Sequence, residues 1–96
     1  MKYRLTFTTE AREVLRSLES TDRPKHKKVL KTLALLETNP RHPSLQTHKY
    51  RSLSGPSGED VFEAYVEQHT PGAWRVFWYY KPERGMIRIL NITPHP

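Results

Sequence analysis

Apolar and polar residues alternate from the start of the chain. In KYRLTF (residues 2–7), Tyr3, Leu5 and Phe7 take turns with Lys2, Arg4 and Thr6, the period of two that marks a half-buried strand. From residue 10 the period lengthens. Ala11, Val14, Leu15 and Leu18 fall on one stripe at helical spacing over 10–19. Thr8 and Thr9 can cap this helix, and Glu10 and Glu13 stand near its N-terminal end, where the helix field favours them. STDRP (20–24) is a break, with Asp22 suited to an N-cap and Pro24 tolerated in a first turn. Residues 24–38 predict a second helix, with Val29, Leu30, Leu33 and Leu36 inward and the lysines on the other side, ended by Asn39-Pro40. So short a link predicts an antiparallel helical hairpin.

After residue 40 the periodicity changes. Two prolines precede a weakly alternating stretch over 45–53, read as a strand, and GPSGED forms a turn. Residues 60–68, DVFEAYVEQ, alternate cleanly: Phe62, Ala64 and Val66 share one face, and Glu63, Tyr65 and Glu67 share the other. HTPG is a turn. AWRVFWYY (73–80) is apolar on both faces and so reads as a central strand, with Arg75 and Tyr79 on a common side; whether that is also the Glu63 side depends on the strand register, which the sequence does not give. KPERG turns the chain into a last strand, MIRILNIT (86–93). The order predicts an α+β fold in a single domain spanning 1–96: an N-terminal strand, a helical hairpin, then a small twisted sheet of four to five strands, antiparallel or mixed. The hairpin covers one face of that sheet, because both helices have an apolar stripe to bury. The opposite face, carrying Glu63, Tyr65, Glu67 and Arg75, stays partly open.

Composition narrows the chemistry. The chain has 96 residues, 16 Lys and Arg against 10 Asp and Glu, and no cysteine, which excludes disulfides, thiolate nucleophiles and Cys-ligated zinc. No apolar run is long enough to span a membrane, and the N-terminus lacks the pattern of a secretory signal, so the expectation is a cytoplasmic protein with no membrane partner. Arg23, Lys25, Lys27, Lys28 and Lys31 crowd one segment. Such a field attracts nucleic acid, through Lys25 and Lys28 for example, or an acidic protein; a solvated helix face is the plain alternative. The histidines do not have zinc-site spacing and no carboxylate cluster suggests a two-metal nuclease, so neither metal nor cofactor is expected.

The chain resembles the RelE/ParE superfamily of bacterial toxin–antitoxin toxins over nearly its whole length. The likeness lies in the order of elements, in HKYRSLSG after the helices, in the WRVFWYY strand with one arginine, and in MIRILNIT followed by a short tail with a histidine. On its RelE-like branch the resemblance implies a ribosome-dependent endonuclease that cuts mRNA in the A site without metal, neutralised by an antitoxin. It further implies that Arg75 holds the scissile phosphate, and that Lys49, with Arg51 or His48, binds the backbone or stabilises charge. Glu63, with Glu67 next, would be the acidic base, and His95 the C-terminal acid or stacking group. The tail ends in PHP without a final tyrosine, and an arginine-rich segment found in some relatives is absent, with only Arg88 in the last strand.

The residues support this chemistry without the family. RNA cleavage by 2′-hydroxyl attack needs a base, an acid and fixed positive charge for the phosphate. Arg75 is suited to a phosphate fork, an imidazole such as that of His95 can exchange protons near neutral pH, and Tyr65 can stack on an exposed base. This reading requires Glu63, Arg75 and His95 to meet within roughly 10 Å. Plain alternatives remain for each residue. Glu63 and Arg75 can be a cross-strand ion pair, Arg88 either a nucleic-acid contact or a snorkelling residue, and the tyrosines packing groups. Two other functions fit the same fold: a ParE-like gyrase inhibitor, or a catalytically decayed module that holds an acidic antitoxin.

Overall fold

The computed structural model describes residues 2–95. Its elements run β1 (Arg4–Phe7), α1 (Thr9–Thr21), α2 (Arg23–Thr38), a 3-10 turn (Pro43–Leu45), β2 (His48–Ser54), β3 (Asp60–Tyr65), β4 (Trp74–Tyr80) and β5 (Met86–Pro94). The strands form one sheet in the order β1-β5-β4-β3-β2. β1 pairs with β5 in parallel and every other pair is antiparallel, so the sheet is mixed and β4 is central, as its two apolar faces require.

The hairpin forms where the capping residues direct it. Thr8 accepts a hydrogen bond from the Ala11 N–H at the start of α1, and Asp22 both ends α1 and caps α2 by accepting from the Lys25 N–H. The two helices lay Ala11, Leu18, Val29, Leu33 and Leu36 on one side of the sheet, against Ala64, Val76, Trp78, Ile87, Ile89 and Ile92. Leu30, expected inward, is instead 46 % exposed, because it lies one position off the stripe that meets the sheet.

The opposite face holds a second, smaller cluster of Val61, Phe77 and Tyr79, covered by Tyr50 and Leu90. A register shift in the β4–β5 pair lets Leu90 join it: Phe77 faces Asn91 while Trp78 faces Ile89, leaving Leu90 as the extra residue. β3 is shorter than the alternation predicts. The N–H groups of Val66 and Glu67 both donate to the one carbonyl of Trp74, a bulge that ends regular pairing after Tyr65. The stretch read as a strand from residue 45 begins only at His48, since Pro43–Leu45 close a 3-10 turn that seats Leu45 in the core.

The packing implies an asymmetry between the two leucines of α2. Leu36→Ala empties a fully buried site and is expected to cost about 2–5 kcal/mol, whereas Leu30→Ala costs under about 0.5 kcal/mol. Urea unfolding of the two variants measures the difference.

Candidate functional site

The rows of the open face place the site. Cross-strand register puts Tyr65 opposite Arg75, Arg75 opposite Thr93, and His48 opposite Glu63. Glu63 is the hub. Its side chain is 2 % exposed, an unusual position for a carboxylate, which is tolerated in an interior only with donors around it. His48 Nε2 lies 2.7 Å from Oε1, His95 Nε2 lies 3.2 Å from Oε2, and Arg75 Nε lies 3.6 Å from Oε2. Glu63, Arg75 and His95 thus meet well inside the reach set by the sequence, and His48 joins them.

The surrounding groups fix these side chains. The guanidinium of Arg75 lies over the Tyr65 ring, 3.7 Å from its centroid, and Nη1 donates to the Glu67 carbonyl and to the Trp74 carbonyl at 3.1 Å. One face of Tyr65 is therefore taken by Arg75. His48 meets the Gln46 carbonyl through Nδ1 at 2.9 Å, and Gln46 holds a left-handed conformation (φ 47°) that ends the 3-10 turn and aims this carbonyl. The tail reaches the site because the His95 N–H donates to the Ala73 carbonyl at 2.8 Å, extending β5 past Pro94, and the His95 ring meets the Tyr50 ring edge-on.

Other residues singled out in the sequence lie elsewhere. Lys49 faces the Phe62 side of the β2–β3 pair, the reverse of the His48 side, and pairs with Asp60 at 3.2 Å. Its neighbour His48 takes the place at the carboxylate, because adjacent strand residues point to opposite faces. Arg51 is exposed on β2, and Arg88 sits opposite Tyr79, its Nη1 3.4 Å from the Thr6 hydroxyl, separated from Glu63 by the Phe77–Tyr79 cluster.

Glu67 does not share the face of Glu63. The bulge at 66–67 turns it towards α2, where Lys25 Nζ donates to both of its oxygens at 2.9 Å and Lys28 Nζ to one at 3.2 Å. The Trp74 N–H adds a bond at 3.2 Å. Lys25 and Lys28 are thus held by a carboxylate rather than displayed as a bare cationic patch. The clamp has its own use, since the carbonyl of the same Glu67 receives Arg75. Burial raises the Glu67 pKa, but the bonds from Lys25, the Trp74 N–H and Lys28 outweigh it and hold the carboxyl below its ordinary value. Among the described residues, no His, Cys, Asp and Glu side chains gather into a group able to hold a metal ion.

No protein-family model and no curated protein matches the chain, and its likeness to known proteins lies in its fold. An archaeal RelE from Pyrococcus horikoshii, solved in complex with RelB, superposes with a TM-score of 0.69 at 22 % identity, covering 98 % of this chain and 96 % of that one. A YoeB/ParE toxin from Agrobacterium tumefaciens matches at a TM-score of 0.72 and 12 % identity over 100 % of both chains. YoeB from Staphylococcus aureus, solved as a dimer, matches at 0.72 and 15 %, again over 100 % of both. The chain has the fold of the RelE/ParE/YoeB toxins, and the identities are too low to place it on one branch.

The clamp has a pH signature. A carboxyl whose folded pKa lies below its unfolded value contributes stability that is full above the unfolded pKa and is lost as pH falls through the folded one. Glu67→Gln is therefore expected to cost about 1 kcal/mol near neutral pH, with the difference from wild type closing in acid. Thermal unfolding of both proteins between neutral pH and pH ~3 checks it, since the window lies at and below the usual carboxylate range.

Proposed function

We propose that the chain is the toxin of a toxin–antitoxin pair, an endoribonuclease that cuts mRNA in the ribosomal A site without a metal ion. The observation that carries this reading is the convergence of Glu63, His48, His95 and Arg75 at one end of the open sheet face. Cleavage of an RNA strand by its own 2′-hydroxyl needs no cofactor. One group removes the 2′-proton, another protonates the departing 5′-oxygen, and fixed positive charge steadies the phosphorane between them. Two imidazoles and a carboxylate supply the proton-handling groups. Arg75, held by the Glu67 carbonyl and the Tyr65 ring, supplies a charge that does not have to reorganise when the phosphate arrives.

The fold match supports the partner as well. RelE, YoeB and YafQ of this fold have been solved in complex with RelB, YefM and DinJ. A chain with a formal charge of +6 suits an acidic antitoxin acting in the same cytoplasmic compartment, by charge complementarity across the interface.

Induced expression in bacterial cells without an antitoxin tests the function. Wild type is expected to stop growth and to leave cut messages on the ribosome. His95→Gln, a change at a half-exposed side chain, is expected to lower the cutting rate by about 10²–10⁴-fold, and Arg75→Lys to lower it while circular dichroism shows the fold retained. Unchanged growth with intact mRNA would sink the nuclease reading, and induction of DNA-damage signalling with intact mRNA would favour a gyrase inhibitor.

A further inference from the structure

A second concavity lies where β3 ends. The middle of α2, the end of β3 and the 66–70 loop enclose a groove of about 350 Å³. Half-buried Leu35 and Val66 form the apolar part of its wall. Lys28 and Lys31 from α2, with Gln68 and Thr70 from the loop, form the polar part. The wall is braced. The buried Thr32 hydroxyl meets the Lys28 carbonyl at 3.2 Å and the Tyr65 carbonyl at 3.4 Å, tying α2 to β3. Gln46 Nε2 donates to Gln68 Oε1 at 3.0 Å, tying the loop to the turn before β2.

Positive charge is left over in this groove. Residues 23–31 carry five Lys and Arg side chains and no acid. The carboxylate in the wall, Glu67, is already met by Lys25 on both oxygens, by Lys28 and by the Trp74 N–H. Lys28 gives one bond to Glu67, is 57 % exposed, and has further ammonium hydrogens to give. Lys31, three positions on and therefore beside it on the helix surface, enters no ion pair among the described residues. The groove also adjoins the Glu63 cluster. Tyr65 lines it, and the Tyr65 ring lies under the Arg75 guanidinium and meets the His48 ring edge-on at 5.9 Å. A single residue, Glu67, spans from Lys28 to Arg75.

We propose that this groove holds the RNA phosphodiester next to the one that is cut, with Lys31 and Lys28 on the phosphate and Leu35 and Val66 against its sugar. The proposal rests on the nuclease reading and extends it along the strand. The volume suits one sugar-phosphate unit, near the lower end of the range for small-ligand sites of about 300–1,000 Å³, whereas a docked protein needs a broad face of about 800 Å². Lysines attract a phosphate as point charges without fixing its orientation, while the planar fork of Arg75 does fix it. The groove therefore holds the strand, and Arg75 aligns the bond that breaks. Contacts of this kind carry no sequence information; they set register.

The probes are RNAs of two and three nucleotides with every 2′-hydroxyl methylated, so that neither can be cut; the shorter carries one phosphodiester and the longer two. Amide NMR titration of the full chain reads their affinities. In wild type the longer probe is expected to bind about tenfold more tightly and to shift the Lys31, Val66 and Thr70 amides. Its logarithmic salt dependence is expected to be steeper by about 0.7 for the added phosphate. Lys31→Ala is expected to abolish the gain and to leave the affinity of the shorter probe unchanged. Lys27→Ala, exposed on α2 outside the groove, is expected to keep the gain. No gain from the second phosphate in wild type overturns the proposal. So does an equal loss in both lysine variants, which would mean that the diffuse field of α2 and not a site attracts the strand. Cutting of mRNA judges the nuclease reading separately. A wild type that cuts but shows no gain loses the groove alone, and one that shows the gain but cuts nothing loses the nuclease reading while the groove stands as an RNA site.

Discussion

A carboxylate removed from water has to be surrounded by donors, and in this protein that demand organises the open face of the sheet. Glu63 lies on β3 beside the centre of the sheet, where its side chain is 2 % exposed. The groups that answer it come from far apart in the chain: His48 from the edge strand, Arg75 from the central strand and His95 from the tail. Removing the carboxylate would leave a cation and two imidazoles with no reason to share a site. The apolar cluster of Val61, Phe77 and Tyr79 lies on the same face.

The helical side of the molecule contributes indirectly. Two lysines of α2 act through a carboxylate of the sheet. Lys25 and Lys28 tie Glu67 to the helix, and the Glu67 main chain in turn receives the Arg75 guanidinium. On the proposed reading Arg75 steadies a phosphorane, and a charge in that role is most effective when it is already in place, because reorganisation is then not part of the barrier. The bulge at 66–67 makes this possible. It takes Glu67 off the face of Glu63, where a second carboxylate would offset the positive charge, and turns it into an anchor.

Local periodicity was enough to locate the strands, the hairpin and the centrality of β4, because each of those rests on neighbours in sequence. The same alternation placed Glu63 with Tyr65 and Arg75 with Tyr79, while the register of β3 against β4 was needed to bring the two pairs to one face. It failed for Glu67, since a bulge adds a residue and reverses the phase beyond it. Lys49 and His48 could not be told apart without the register of β2, which contains an irregularity between Lys49 and Ser54. The pairing of Lys25 with Glu67 joins residues 42 apart and depends on how the hairpin docks, which no local pattern encodes. His95 lies past the last alternating strand, and only the likeness to known toxins drew attention to it. The Gln46 carbonyl that steadies His48 had no sequence signal beyond the prolines that shape the preceding turn.

On the proposed nuclease reading, the site moves protons around a phosphodiester rather than activating water. The chemistry of the cut ends reads this out most directly. Messages recovered from ribosomes after exposure to the wild-type protein are expected to end in a 2′,3′-cyclic phosphate, or the 3′-phosphate it hydrolyses to, facing a 5′-hydroxyl. Fragments that carry a 3′-hydroxyl and a 5′-phosphate would show that water, not the neighbouring ribose oxygen, made the attack, and would contradict it.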